Sequence, residues 1–199
     1  MTGRAREFDP TAGVFADLLA RAQRGEGAAW EQIYRWLAPT VAGYLRVQGA
    51  DDVEDLTSES FLALVRAIPT FRGDATQFRS FVFVIAHRRL QDERRRESRR
   101  PPRDIGGDGR GDVDIETSTR PGDNVHDETL ERLAGERVLA LCAPLPHDQR
   151  DVVLLRIVAD LSLQQVASVV GKTTGAVKAL QRRAFENIRR EISQEAVSP

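Results

Sequence analysis

Apolar residues recur at three- and four-residue spacing along most of the chain and nowhere alternate for long enough to make a strand, so the pattern predicts an all-α protein. Residues 14–23 put Phe15, Leu18, Leu19 and Ala22 on one face and end at the Arg24-Gly25-Glu26-Gly27 break. A second helix from about Ala28 uses Trp30, Ile33, Tyr34 and Leu37. Pro39 is expected to interrupt it before Val41, Tyr44, Leu45 and Val47 continue the series, and the aromatics here are most simply core. In residues 51–68, Val53, Leu56, Leu64 and Ile68 supply one buried face while Phe61, Leu62 and Val65 spill around the cylinder. A turn-rich stretch, 69–75, carries Phe71 and Arg72. The next helix runs on Phe78, Phe81, Val82, Ile85 and Leu90, with Phe83 off that stripe. Helical pattern resumes at Leu133, Val138, Leu139 and Leu141, breaks at Pro144-Leu145-Pro146, and returns through Val152, Val153, Leu154, Leu155, Ile157 and Val158.

Residues 161–190 carry the most specific pattern. Ser162 caps a short helix whose apolar positions are Leu163, Val166, Ala167 and Val170, and Gly171 stops it. Thr173 or Thr174 then caps a second helix in which Ala176, Val177, Leu180, Ala184 and Ile188 face inward. That leaves Lys178, Arg182, Arg183, Arg189 and Arg190 on or near the polar side. A glycine at the turn, the small residues Ala167 and Gly175 where two helices must approach, and a basic second helix fit the geometry that lays one helix in a DNA major groove. From 171 to 190 there are six Lys and Arg against one acid, Glu186, and phosphate is the natural partner of such a face.

Charge is segregated along the chain although its formal net value is only -1. Residues 51–59 hold five acids and no base, which suits the positive end of a helix dipole. With the excess apolar surface beside it, this helix reads either as a docking element for another protein or as the central helix of a bundle. Residues 87–100 hold seven arginines against three acids, beside a loop bearing an aromatic residue. That is a platform for a strand backbone and an unstacked base, or else a solvated helix end. Residues 101–129 are rich in Gly and Pro, nearly devoid of apolar residues, and hold eight acids against three arginines, which predicts a disordered acidic linker.

Composition excludes several classes. The lone Cys142 cannot form an internal disulfide, and its apolar setting makes it a buried small residue. His87, His126 and His147 lack metal-ligand spacing, so neither a metal nor another cofactor is expected. The acids at 51–59 have no histidine or cysteine partners and no Walker-type loop occurs, so an enzyme such as a recombinase lacks its catalytic set. No uninterrupted run of eighteen apolar residues and no N-terminal apolar leader core is found, from which a cytoplasmic protein without membrane insertion is expected.

Taken in order, these pieces resemble an extracytoplasmic-function (ECF) sigma factor of the sigma-70 family, from about Val14 to Ile192. DDVEDLTSESFLALVRAI resembles the family's acidic helix for docking on the polymerase clamp, and FRSFVFVIAHRRLQDERRR its promoter-melting helix. LPHDQRDVVLLRIVADLSLQQVASVVGKTTGAVKALQRRA resembles its -35 reader. The resemblance implies two small helical domains joined by a flexible acidic linker. It divides the chain into a tail (1–13), a sigma-2 bundle (14–100), the linker (101–129), a sigma-4 helix-turn-helix (130–192) and a C-terminal tail (193–199). Bacterial core RNA polymerase, promoter DNA (duplex at -35, single strand at -10) and an anti-sigma factor are the implied partners.

The implied sites follow residue by residue. Lys172, Thr173, Thr174, Lys178, Gln181, Arg182 and Arg183 would serve the -35 element. Phe71, Arg72, Phe83, His87, Arg88, Arg94, Arg95 and Arg96 would hold the -10 strand. Asp51, Asp52, Glu54, Asp55, Glu59, Phe61 and Leu62 would dock on polymerase. Phe81 stands where the family commonly has tryptophan, Arg88 where it has asparagine, and Gln165 where it has glutamate. Ala176, Ala179 and Leu180 replace polar or basic residues. With about sixteen to twenty base-pair steps of 3.4 Å between the two DNA elements, the two readers must stand roughly 55 to 70 Å apart on a promoter. The alternative reading is a stand-alone dimeric helix-turn-helix regulator, which accounts for 161–190 but leaves the other charged segments without a task.

Overall fold

The computed structural model describes residues 12–99 and 141–195. Among them there are helices and no strand: α1 (Ala12–Gln23), α2 (Gly27–Val47), α3 (Val53–Ala67), a single 3-10 turn (Ile68–Thr70), α4 (Ala75–Arg99), α5 (His147–Ile157), α6 (Leu163–Val170) and α7 (Thr174–Glu195). The stretch expected to be a linker, and the apolar positions Leu133, Val138 and Leu139, lie outside the described residues.

The first four helices pack around aromatic side chains. Phe15 of α1 meets Phe78 of α4 at 5.4 Å between ring centroids, and Trp36 of α2 stacks on the same Phe78 at 6.4 Å. Gln23 closes the end of α1 by donating to the carbonyls of Ile68 and Phe71, both at 3.0 Å. Chain reversal between α2 and α3 uses Gly49 at φ +76°, a conformation that costs a residue with a Cβ. Asp52 then caps α3, its carboxylate accepting the Asp55 N–H at 2.8 Å.

Two expectations are corrected here. Pro39 does not interrupt α2, which runs unbroken through it. Pro39 and Arg35 are both exposed, so water can satisfy the Arg35 carbonyl that proline leaves without a donor, while Ala38 and Val41 stay packed on either side. Nor are all the aromatics of α2 core: Tyr34 is 46% exposed, and Trp36 takes the buried position.

In the second group, Val152, Leu154, Leu155, Leu161, Val166, Val177 and Ala184 are buried where α5, α6 and α7 meet. The two groups are not separate in space. One continuous cluster of buried side chains joins them, and α6 lies against α4. A helix covered on more than one side buries residues off its main stripe, and Phe83 is fully buried, as are Phe78, Val82, Ala86 and Leu90.

Candidate nucleic-acid interface

The helix-turn-helix is assembled by its caps. Ser162 Oγ accepts the Gln165 N–H at 3.3 Å and Gln165 Oε1 accepts the Ser162 N–H at 2.8 Å, a reciprocal capping box. Gly171 ends α6 in the left-handed region, and the next N–H, of Lys172, reaches back to the Ala167 carbonyl at 3.0 Å. Thr173 is the residue that caps α7, accepting the Ala176 N–H at 3.2 Å, and Thr174 is the first residue inside that helix. Val177 and Ala184 then hold α7 to its neighbours with no exposed surface.

That anchoring fixes the opposite face. Lys178, Arg182 and Arg183 are exposed on it with Gln181 half-buried alongside, and Arg182 lies 3.6 Å from Glu186 on its own helix.

 Lys172, at the turn, is tied instead to Asp148 of α5 at 3.1 Å.

The set expected for the -10 strand is divided. Phe71 is half-buried, stacked on Phe81 with 5.2 Å between centroids, and Arg72 beside it is exposed, its guanidinium donating to the carbonyls of Pro69 and Phe71. Arg88, Arg95 and Arg96 are exposed along α4. Phe83, expected on the strand-binding face, is instead in the core, edge-on to Tyr44 of α2 at 5.6 Å. His87 and Arg94 are engaged in protein contacts.

Those contacts form a buried polar cluster. Asp151 of α5 is 3% exposed, and its Oδ1 accepts from Tyr44 Oη at 2.9 Å and from Gln48 Nε2 at 2.6 Å. Tyr44 Oη also lies 2.8 Å from His87 Nδ1; since the hydroxyl gives its one hydrogen to Asp151, the imidazole must donate from Nδ1. Arg94 donates to the Gln48 main-chain carbonyl at 2.7 Å and to its side-chain oxygen at 3.0 Å. Burial pushes the Asp151 carboxyl up and the His87 imidazole down from their ordinary values, and each partly offsets the other's shift. The sequence does hold a signal for Asp151: it sits three and four positions before the fully buried Leu154 and Leu155, which places an acid on an inward face.

The acidic helix presents Asp51, Asp52, Glu54 and Asp55 to solvent. Glu59 is half-buried and 3.8 Å from Arg89. Phe61 is buried against Tyr34 at 4.8 Å, whereas Leu62 and Val65 are 59% and 44% exposed. Beside them, a groove of about 490 Å³ runs between α2 and α3, lined by Tyr34, Ala38, Pro39, Ala42 and Thr57. Tyr34 is the residue that helical periodicity alone misplaced. Among the described residues no cluster of His, Cys, Asp and Glu could hold a metal, and no helix is long and apolar enough to cross a membrane.

Comparison with known proteins fits both halves of this arrangement. Residues 30–100 match the family described as Sigma-70 region 2 and residues 143–190 match Sigma-70, region 4. The ECF RNA polymerase sigma factor BldN of Streptomyces coelicolor is 34% identical over 190 residues, covering 94% of this chain and 69% of BldN. ShbA of Streptomyces griseus is 28% identical over 193 residues, with 91% and 96% covered, and SigD of Mycobacterium tuberculosis is 28% identical over 186 residues, with 88% and 82% covered. In fold, the chain is similar to CnrH in the structure of its complex with the cytosolic domain of CnrY. The TM-score is 0.61 at 22% identity, over 92% of this chain and 99% of that one.

Proposed function

Because this chain belongs to the sigma-70 family, among its ECF RNA polymerase sigma factors, we propose how its parts divide the work of transcription initiation. The outer face of α7, with Lys178, Gln181, Arg182 and Arg183, reads the -35 duplex, and Lys172, Thr173 and Thr174 anchor the turn to phosphate. Phe71, Arg72, Arg88, Arg95 and Arg96 hold the non-template strand at -10. Melting follows from binding, since a flipped base costs a few kcal/mol that stacking and phosphate contacts offset. Asp51, Asp52, Glu54 and Asp55, with Leu62 and the buried support of Phe61, meet a basic and apolar surface of core polymerase; Glu59 orients Arg89. The working units are residues 14–100 and 130–192. The chain supplies no catalytic group of its own, and its place beside core polymerase is the cytoplasm. An anti-sigma factor is the further partner that the family resemblance supports.

The observation that carries this reading is the capped helix-turn-helix, whose basic face is held outward by the burial of Val177 and Ala184. A dimeric regulator acting alone would leave the match over residues 30–100 without a role. The test is run-off transcription from a promoter library with core RNA polymerase, with and without this protein. Protein-dependent start sites sharing a pair of upstream elements are expected; binding of a palindromic duplex with no initiation on any library member would overturn the reading.

A further inference from the structure

The loop that carries Phe71 and Arg72 is largely exposed between Pro69 and Asp74, yet its main chain is tied down at both ends. At the near end the Phe71 N–H closes the 3-10 turn on the Ile68 carbonyl at 3.0 Å. At the far end Asp74 and Gln77 exchange bonds across the start of α4: Asp74 Oδ1 accepts the Gln77 N–H at 2.7 Å, and Gln77 Oε1 accepts the Asp74 N–H at 3.0 Å. The first turn of α4 is held from outside as well, since Gln165 of α6 donates from Nε2 to the Thr76 carbonyl at 3.1 Å. Between these ends Gly73 leaves no room for a side chain: a Cβ would stand 2.9 Å from the Phe71 ring and 2.5 Å from Gln77 Oε1.

The longest-range constraint comes from α1. Gln23 gives both hydrogens of Nε2 to this loop, one to the Ile68 carbonyl and one to the Phe71 carbonyl, each at 3.0 Å. Its own helix end is pinned by Trp30 Nε1, which donates to the Ala22 carbonyl at 3.1 Å. The Phe71 carbonyl is thereby placed for a second donor, Arg72 Nη1 at 2.7 Å, and the same nitrogen reaches the Pro69 carbonyl at 3.1 Å. With Nη1 engaged on the main chain, Nε and Nη2 remain. That edge of a guanidinium is a planar two-donor fork, the shape that meets a phosphate bidentately.

We propose that Gln23 is a positioning residue for strand capture: by fixing the Phe71 carbonyl it sets Arg72 so that its Nε–Nη2 edge meets a backbone phosphate of the -10 strand. The proposal rests on the assignment of Phe71 and Arg72 to that strand made above. An arginine on an unconstrained loop loses side-chain freedom when it binds; here that loss is taken on folding, so capture is less opposed by entropy. α1, which meets no DNA in this reading, thus enters strand affinity through a main-chain carbonyl.

The test uses the full-length chain assembled with bacterial core RNA polymerase, and a fluorescent single-stranded oligonucleotide carrying the non-template -10 sequence of a promoter found by run-off transcription. Gln23→Met keeps the reach of the side chain and removes both donors. The fold should survive it, because the Ile68 carbonyl keeps the Phe71 N–H and the Phe71 carbonyl keeps Arg72. Anisotropy should show strand affinity about fivefold weaker in Gln23→Met and about tenfold weaker in Arg72→Ala, with the salt slope of Arg72→Ala reduced by about 0.7, the value for one phosphate on a single strand. The double variant should bind no more weakly than Arg72→Ala alone, because Gln23 acts through that side chain. In the free chain, exchange of the Phe71 amide should quicken about threefold or more in Gln23→Met while the amides of α7 stay as in wild type. Additive losses in the double variant, strand affinity of Gln23→Met within about twofold of wild type, an unchanged salt slope in Arg72→Ala or an unchanged Phe71 amide would each overturn the proposal. A wild-type complex that initiates transcription yet ignores the oligonucleotide would remove the -10 assignment itself, and this proposal with it.

Discussion

Helices α4 and α7 are both long, both rich in arginine and both assigned to DNA, yet the structure treats them in opposite ways. α7 buries its small and apolar residues, Val177 and Ala184, and leaves Lys178, Arg182 and Arg183 in solvent. α4 is covered on more than one side, so Phe83 and His87 are buried and Arg94 is committed to Gln48. Charge density along a sequence therefore says where phosphate could be met, and packing decides whether the meeting is open. The same contrast shows within α4 itself: Arg88, Arg95 and Arg96 stay exposed along it, whereas Phe83 and His87 are buried.

The strongest way to break the contrast is at Asp151. Replacing it with alanine leaves the Tyr44 hydroxyl and the Gln48 amide without their buried acceptor, and should cost about 2–4 kcal/mol in denaturant unfolding monitored by tryptophan fluorescence. A loss below about 0.5 kcal/mol would mean that water already satisfies the cluster.

On the α7 side, Arg183→Ala should weaken binding to the selected -35 duplex by about 1–3 kcal/mol if it reads a base, with relaxed preference at one position. Lys172→Ala should weaken all duplexes alike and reduce the salt slope by about one unit, the signature of a phosphate contact. Fluorescence anisotropy at several salt concentrations separates the two. Next in size, Ser162→Ala removes half of the capping box on the helix that covers α4 and should cost about 1 kcal/mol, read as a lower thermal midpoint.

The smallest effect is a pH dependence with two opposing signs. His87 is held below its ordinary 6.5, first by burial and further by Arg94, with Asp151 and Asp148 pulling the other way. The folded state therefore prefers neutral imidazole, and this contribution is present above the ordinary value and lost as pH falls through the lowered one. Asp151 is held above its ordinary 3.8 by burial, with His87, Tyr44 and Arg94 opposing the shift and Asp148 adding to it. Its carboxylate weakens folding at higher pH, and the penalty is relieved as pH falls through the raised value. Asp151→Asn keeps the acceptor and removes the second group, so its folding stability should fall steadily as pH drops below 6.5, while the wild type changes less over the same range. Denaturant unfolding recorded from pH 8 to pH 5 checks this; an Asp151→Asn profile as flat as wild type would mean that His87 does not stay neutral in the folded protein.

Much of the helix-turn-helix was legible because its signals are local. Ser162 and Gly171 each act within one turn of chain, and the inward series that includes Val177 and Ala184 needs only helical periodicity. Phe83, Tyr34 and Asp151 were harder for one shared reason. Whether a side chain off the main stripe is covered depends on a helix many residues away, and a single sequence does not state that contact. Pro39 belongs to the same class, since the rule that proline breaks helices gives way where the orphaned carbonyl faces water. The acidic helix was read correctly for its charge, yet Phe61 and Leu62, adjacent in sequence, divide between core and solvent only once α2 is in place.

Gln165 carries a consequence of a different kind. Its codon is a single-nucleotide change away from glutamate, and that change exchanges one amide nitrogen for oxygen while leaving the cap that folds α6 intact. The contact between α6 and α4 is thus adjustable by mutation at a position that belongs neither to the outer face of α7 nor to the acidic helix. A lineage could loosen the packing of the two helix groups while the basic face of α7 stays as it is.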